Sequence, residues 1–256
     1  MQYIDSHAHL YLPDFDEDRE EVITRALNRD VTKILLPNID MNSVEPMLKM
    51  VNNYAGVCFP MIGIHPTYVK EDYADQLLSV EHWINREKFI AIGEIGIDLY
   101  WDKEFLEEQI IAFRKQLEIA LEFNLPVVIH CRESFDEIST IIDDFKGKGL
   151  KGVFHAFTGS IKQAAKVIDA GFMIGTGGII TFKNAGLDKT IAELGPDSII
   201  LETDSPYLAP VPYRGKKNES SYIPIIAGKI GELTGKSHAE IAEITTLNAI
   251  KLFNLD

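Results

Sequence analysis

The chain alternates between two hydrophobic periods, and that alternation narrows its fold more than any other feature. Short runs rich in apolar residues occupy positions 3–7, 33–37, 58–64, 90–94, 126–130, 152–157, 172–175 and 198–203. The longer stretches between them repeat at helical spacing. In 104–124, for instance, Leu106, Ile110, Phe113, Leu117 and Leu121 share one face. Strands alternating with helices build a parallel sheet, since each crossover returns the chain to the same edge. Eight such units predict an α/β fold closed into a (β/α)8 TIM barrel, and 256 residues suit one domain spanning 1–256. An open doubly wound sheet is the competing arrangement. It would usually carry a Gly-x-Gly-x-x-Gly turn after its first strand, which this sequence lacks. A polar, basic loop at 213–218 follows the eighth strand. Two helical segments come next, divided near Thr234-Gly235-Lys236, with Ser237 placed to cap the last.

Composition enters through charge and cysteine. A net charge of −14 argues against a protein that coats DNA non-specifically, because that binding rests on Lys and Arg neutralising phosphates. It leaves room for an enzyme that grips phosphates with metal ions in one cleft. Two cysteines, Cys58 and Cys131, form no disulfide framework. The start of the chain lacks the basic and apolar regions of a secretory signal, and no apolar run reaches the ~18 residues of a membrane span. A cytoplasmic protein is expected.

Candidate metal-binding side chains gather at one end of the expected strands. His7 and His9 share a face at the end of the first strand, with Asp5 at the same parity. Glu94 is expected to close the fourth, His130 the fifth and His155 the sixth. Asp204 closes the eighth, with Glu202 on its face. Strand carboxyl ends converge on one rim of an α/β barrel, where active sites of such enzymes lie. Each residue alone has an ordinary explanation, such as a satisfied histidine or a buried ion pair. Six at the tips of five strands are hard to produce by packing alone. Four imidazoles and two carboxylates exceed one tetrahedral ion but fit two divalent ions sharing a carboxylate, with Zn, Mn or Mg as candidates.

Several motifs carry a family resemblance. They are Asp5-Ser6-His7-Ala8-His9-Leu10, Gly63-Ile64-His65-Pro66, Gly93-Glu94-Ile95-Gly96-Ile97-Asp98, His130-Cys131-Arg132, His155-Ala156-Phe157-Thr158-Gly159 and Glu202-Thr203-Asp204-Ser205-Pro206-Tyr207-Leu208. In order and spacing they resemble the TatD deoxyribonucleases of the amidohydrolase superfamily, and Thr245-Thr246-Leu247-Asn248-Ala249 resembles that family's closing helix. The resemblance implies a metal-dependent hydrolase, a DNA exonuclease in which water is activated between two divalent metals. It implies His7 and His9 as ligands of one metal, His130 and His155 of the other, and Glu94 as the bridge. Asp204 is implied as ligand and general base.

Substrate contacts are implied for His65, facing a phosphate, and for the Arg214–Lys216–Lys217 loop, bordering the cleft. Arg132 shares the parity of His130 and could hold a phosphate oxygen, or pair with Glu133 or Asp136 at the rim. Glu202 could orient a ligand or contact substrate. Tyr100 and Trp101 could stack on unpaired bases or pack as a lid. Cys131, of opposite parity, is expected to pack. His82 and His238 are expected at the surface. Two other functions compete with DNA hydrolysis: the same centre acting on an ester or amide, such as an aminoacyl ester on tRNA or a lactone, and a non-catalytic barrel that binds nucleic acid or protein.

Overall fold

The computed structural model describes residues 1–101, 103–183 and 185–255. The strands are β1 (Tyr3–Asp5), β2 (Val31–Pro37), β3 (Cys58–Met61), β4 (Ile92–Asp98), β5 (Val127–Arg132), β6 (Gly152–Phe154), β7 (Met173–Thr176) and β8 (Ile199–Leu201). Between and after them come α1 (Arg19–Leu27), α2 (Val44–Asn53), α3 (Tyr73–Ile84), α4 (Leu106–Glu122), α5 (Phe135–Asp143), α6 (Ile161–Asp169), α7 (Leu187–Leu194), α8 (Ile223–Thr234) and α9 (His238–Phe253). All the ladders are parallel, in two runs, β1-β2-β3 and β4-β5-β6-β7-β8.

Backbone hydrogen bonds join the two runs at both seams. Ile62 bridges Ile92; Ile62 N donates to Ala91 O at 3.2 Å and Gly93 N to Ile62 O at 2.8 Å. Ala8 bridges Ser205; Ser6 N donates to Leu201 O at 3.0 Å and Asp204 N to His7 O at 2.9 Å. The interior agrees with a closed ring. One cluster collects Ile4, Leu35, Met61, Ala91, Val128, Val153, Met173 and Ile200, a residue from each strand or its edge. Ala249, Leu252 and Phe253 of α9 pack against that cluster. The barrel is therefore the arrangement adopted, rather than an open sheet.

Helices follow the expected physics. In α4, Phe113 and Leu117 are fully buried and Leu106, Ile110 and Leu121 pack beside them. Two buried glutamines on the same helix reach the barrel mouth: Gln116 Oε1 accepts from Ile64 N at 2.7 Å and Gln109 Oε1 from Asp98 N at 2.9 Å. Ser237 caps α9 through a reciprocal pairing with Glu240. His82 and His238 are exposed.

Several strands end elsewhere than the apolar runs suggest. β1, β3, β6 and β8 stop early, so His7, His9, His155, Glu202 and Asp204 lie just past strand ends. β4 departs most. Expected over 90–94 with Glu94 at its tip, it runs Ile92–Asp98 and carries Glu94 near its start. Gly93 and Gly96 disguise the continuation, because glycine signals a turn in an isolated sequence.

Close backbone approach between β5 and β6 gives a test of this packing. A Cβ at Gly152 would stand 2.2 Å from Val127 O and 2.7 Å from Val127 Cγ2. Gly152→Ala is expected to cost about 1–3 kcal/mol through overpacking, read as a lower urea midpoint at unchanged slope. An unchanged midpoint would contradict the contact.

Candidate metal centre

Alternation along the strands carries side chains from the apolar plug up to the mouth. In β5 the inward Val128 is followed at the same parity by His130 and Arg132; from β6 onwards Val153 is followed by His155. From Ile200 the same count reaches Glu202 and Asp204. Glu94 needs an extra device. Starting at inward Ala91, simple alternation would turn Glu94 outward. The β4–β5 ladder counts three residues from Ile92 to Ile95 against two from Val127 to Ile129, and this bulge turns Glu94 inward. Beyond it, Gly96 lies opposite His130. A Cβ there would meet His130 O at 2.0 Å, and φ is +148°, so glycine alone lets the two strands approach with His130 in place.

Glu94 is the centre of the cage. Its Oε2 lies 3.2 Å from His7 Nε2 and 3.8 Å from His9 Nε2. Its Oε1 lies 2.9 Å from His130 Nδ1, 3.4 Å from His65 Nε2 and 3.7 Å from His155 Nε2. Asp204 Oδ1 stands 3.5, 3.7 and 3.8 Å from the Nε2 atoms of His9, His155 and His7. Three groups have donor atoms close enough to share an ion: His7, His155 and Asp204; His7, His9 and Glu94; and His65, Glu94 and His130.

Most of these rings are held from behind. His9 Nδ1 is 3.2 Å from the Tyr11 hydroxyl, which donates to Pro37 O at 2.7 Å. His130 Nε2 is 2.9 Å from Asp98 Oδ2, and His155 Nδ1 is 3.1 Å from Glu202 Oε2. Such outer partners orient an imidazole and raise its basicity. His65 differs, because its Nδ1 accepts from Thr67 N at 3.2 Å. In the neutral ring that leaves the proton on Nε2, making that nitrogen a donor towards the cage. His7 Nδ1 is buried and finds no hydrogen-bond partner among the described residues, while its ring stacks on His155 at 3.5 Å.

Burial and charge set the protonation of the centre without metal. Burial opposes the charge on Glu94, but the surrounding His65, His7, His155 and His130 hold its carboxyl well below the usual range. Burial likewise opposes charge on His155, yet Glu202, Glu94 and Asp204 outweigh it and push the imidazole up to about 10. Burial and the neighbouring His155 push His7 down to about 4. Asp204, against its burial, is held low by His155, His9 and His7. Imidazole nitrogens and carboxylate oxygens crowded this closely form a donor set suited to divalent cations of the Zn, Mn or Mg kind. The residues present thus fit a metal centre.

Asp5 does not join the cage. Its buried carboxylate accepts from Thr203 N at 2.9 Å and Thr203 Oγ1 at 2.6 Å, tying β1 to the end of β8. Past β1 the alternation that would group it with His7 is lost. Among the described residues, three of the seven non-glycine residues with positive φ border the site: Ala156, Asp204 and Leu208. Asp204 at +59° is a conformation that costs free energy and persists only where surroundings enforce it. Asn218 supplies part of that enforcement, donating from Nδ2 to Thr203 O at 2.7 Å and Tyr207 O at 2.6 Å.

A cavity of about 610 Å³ opens above the cage, lined among others by His65, Asp98, Trp101, Arg132 and Tyr207. Arg132 points into it with its guanidinium 4.1 Å from the Tyr100 ring and 5.5 Å from Trp101. Among the described residues neither alternative rim pairing, with Glu133 or with Asp136, forms; Glu133 lies 3.9 Å from Lys103 instead. Cys131 packs against the core, although one side also borders the cavity. Glu202 is buried, with its carboxylate engaged by His155 and by Ala156 N at 2.6 Å, so a direct substrate contact is not what its position offers. Arg214 and Lys216 do not line the cavity either; they lie over Phe182 and Tyr213. Lys217 donates to Asp14 O at 2.9 Å and pairs with Asp18, fastening its loop to α1. Of this basic run, Lys217 alone among the described residues has an ion-pair partner, while Arg214 and Lys216 stay exposed.

Sequence reasoning passed over Asp98, Tyr11 and Asn218. Asp98 had a usable signal, its even spacing from Glu94 and Gly96; Tyr11 and Asn218 act through contacts that only folding creates.

Comparisons with known proteins place the chain among metal-dependent hydrolases. Residues 4–254 match the family model described as TatD related DNase. A Bacillus subtilis protein named "Uncharacterized metal-dependent hydrolase YabD" is 37% identical over 253 residues, covering 98% of this chain and 99% of its own. The "3'-5' ssDNA/RNA exonuclease TatD" of Pectobacterium parmentieri is 30% identical over 257 residues, covering 98% and 99%. The crystal structure of YJJV, a TatD homologue from Escherichia coli, superposes with a TM-score of 0.93 at 30% identity, covering 99% of this chain and 98% of that one. The chain therefore belongs to the TatD related DNase family of metal-dependent hydrolases.

Proposed function

We propose that this chain hydrolyses phosphodiester bonds in DNA, working as an exonuclease on single-stranded or frayed ends. The observation that carries the reading is the division of Glu94, one oxygen facing His7 and His9 and the other facing His130 and His155. On it we assign two divalent cations. His7, His9 and Asp204 would hold one, His130 and His155 the other, with Glu94 shared. Bound there, such ions supply acidification of a water and neutralisation of charge on phosphoryl oxygens.

The chain's own groups account for the remaining work. Asp204, kept ionised by its imidazole neighbours, is the acceptor for the proton of the attacking water. His65 presents an Nε2 proton towards the cage, suited to a non-bridging phosphate oxygen. Among the described residues, Arg132 is the only Lys or Arg lining the cavity, which it shares with the carboxylates of Glu94, Asp98 and Asp204. Phosphate backbone contacts of this kind confer little sequence preference. The name of the Pectobacterium relative, an ssDNA/RNA exonuclease, supports a single-stranded nucleic-acid substrate. Two free cysteines suit action in the reducing cytoplasm.

Three measurements test the reading. Asp204→Asn is expected to lower turnover by about 10²–10⁴-fold while a single strand still binds; unchanged turnover would discredit Asp204 as the base. The wild type should cut single-stranded DNA in preference to an aminoacyl-tRNA or a panel of lactones. DNA left intact under Mg, Mn and Zn would remove the phosphodiesterase assignment.

Glu202→Gln weakens the support behind His155. Metal affinity should fall roughly 10–100-fold, with far-UV circular dichroism unchanged. Equal metal content in variant and wild type would count against this role.

Metal uptake should also release protons. With its pKa raised to about 10, His155 carries a proton at pH 7 that must leave before Nε2 can bind a cation. Affinity is thus expected to climb with pH and to fade as acid keeps the ring charged. Calorimetry in buffers of differing ionisation heat checks it, and an affinity indifferent to pH would refute it.

A further inference from the structure

The exposed aromatic side chains of this protein are not scattered. Among the described residues, the exposed aromatics are Tyr68, Tyr100, Trp101 and Tyr207, and all four stand at the mouth of the metal cage. Trp101 is 68% exposed, Tyr207 53%, Tyr100 50% and Tyr68 41%. They come from three separate loops, after β3, β4 and β8. Packing does not explain them, since rings this exposed bury little of their apolar area.

Each ring is coupled to the site. Tyr68 lies edge-on to His65 with centroids 6.4 Å apart, and Tyr207 is tilted over His9 at 6.3 Å. Trp101 meets Tyr100 edge-on at 4.9 Å, and Arg132 lies over both. Three of the four, Tyr68, Trp101 and Tyr207, line the same cavity as Glu94 and Asp204. Beyond the metal ligands the mouth offers little for a phosphate track: among the described residues Arg132 is the single lining Lys or Arg, on a chain of net charge −14. Stacking on a ring is indifferent to that charge, because every base has a π-face.

We propose that the mouth is a base-stacking clamp, with Trp101 and Tyr100 on one side and Tyr207 and Tyr68 on the other, which takes the unpaired end of a nucleic-acid strand. This inference rests on the phosphodiesterase reading and names what gives it ground-state affinity: exposed base faces, with Arg132 orienting one phosphate. A base-paired end hides the inner faces of its bases, so the clamp selects for unpairing. Loops from three strand ends must keep their places for the rings to face one cavity, and Asn218 and Gln109 hold two of them.

The test uses the whole chain loaded with metal, and two short DNA strands identical except that one has abasic residues at its last two positions. Phosphates are the same in both. For the wild type, removing the bases should raise KM roughly 5- to 100-fold with a smaller effect on kcat. Trp101→Ala should raise KM on the ordinary strand and add little on the abasic one, whereas Trp101→Phe should restore most of the loss. Equal KM for both strands with the wild type would overturn the clamp and leave the hydrolase reading standing. An equal penalty from Trp101→Ala on both strands would overturn it too, by reducing Trp101 to a structural part. No cleavage of either strand would strike at the phosphodiesterase reading itself.

Discussion

A buried carboxylate surrounded by imidazoles is the constraint around which this molecule is arranged. Glu94 is nearly inaccessible to solvent, yet it is held ionised because His7, His65, His130 and His155 converge on its two oxygens. Burying a carboxylate costs several kcal/mol unless partners repay it. The cage repays it with rings drawn from four different strands or strand ends. The barrel must consequently close with β1 beside β8 and β4 beside β5, or Glu94 has no counter-charge.

The centre depends on supports that never touch a reacting atom. Asp98 and Glu202 stand behind His130 and His155, and Tyr11 stands behind His9. Asn218 ties the strained Asp204 turn to its neighbours, and Arg25 grips Glu219 beside it with bonds of 3.0 and 2.6 Å. The basic loop after β8 thus contributes by anchoring: Lys217 and Glu219 fasten it to α1 while Asn218 fixes the turn that bears Asp204. Lys217, which reads in one dimension as part of a phosphate grip, works in three dimensions as a fastening.

On the proposed reading, an acidic protein acting on a polyanion has to localise its attraction. Here the cage concentrates donors for divalent cations, one arginine stands over two aromatic rings, and Tyr68, Trp101, Tyr207, Ile39, Ile179 and Leu208 give the mouth aromatic and apolar walls. Long-range repulsion from a chain of net charge −14 disfavours wrapping along a duplex. It leaves short, local engagement of a strand end as the mode of binding compatible with the surface.

The eight-fold alternation of strand and helix, the helical face of α4, the cap at Ser237 and the gathering of His7, His9, His130, His155 and Asp204 near strand ends were all legible in the chain. They follow from local periods of two and 3.6 residues, which a sequence carries in plain view. Motif order added the family. Other features were decided only by tertiary structure. The bulge that turns Glu94 inward depends on how β4 pairs with β5, and the exclusion of Asp5 depends on Thr203 arriving from the far end of the chain. The engagement of Lys217 depends on Asp14 and Asp18 lying within its reach. A sequence states which side chains are available and in what rhythm; register and neighbours across the fold determine which way each one faces and which partner claims it.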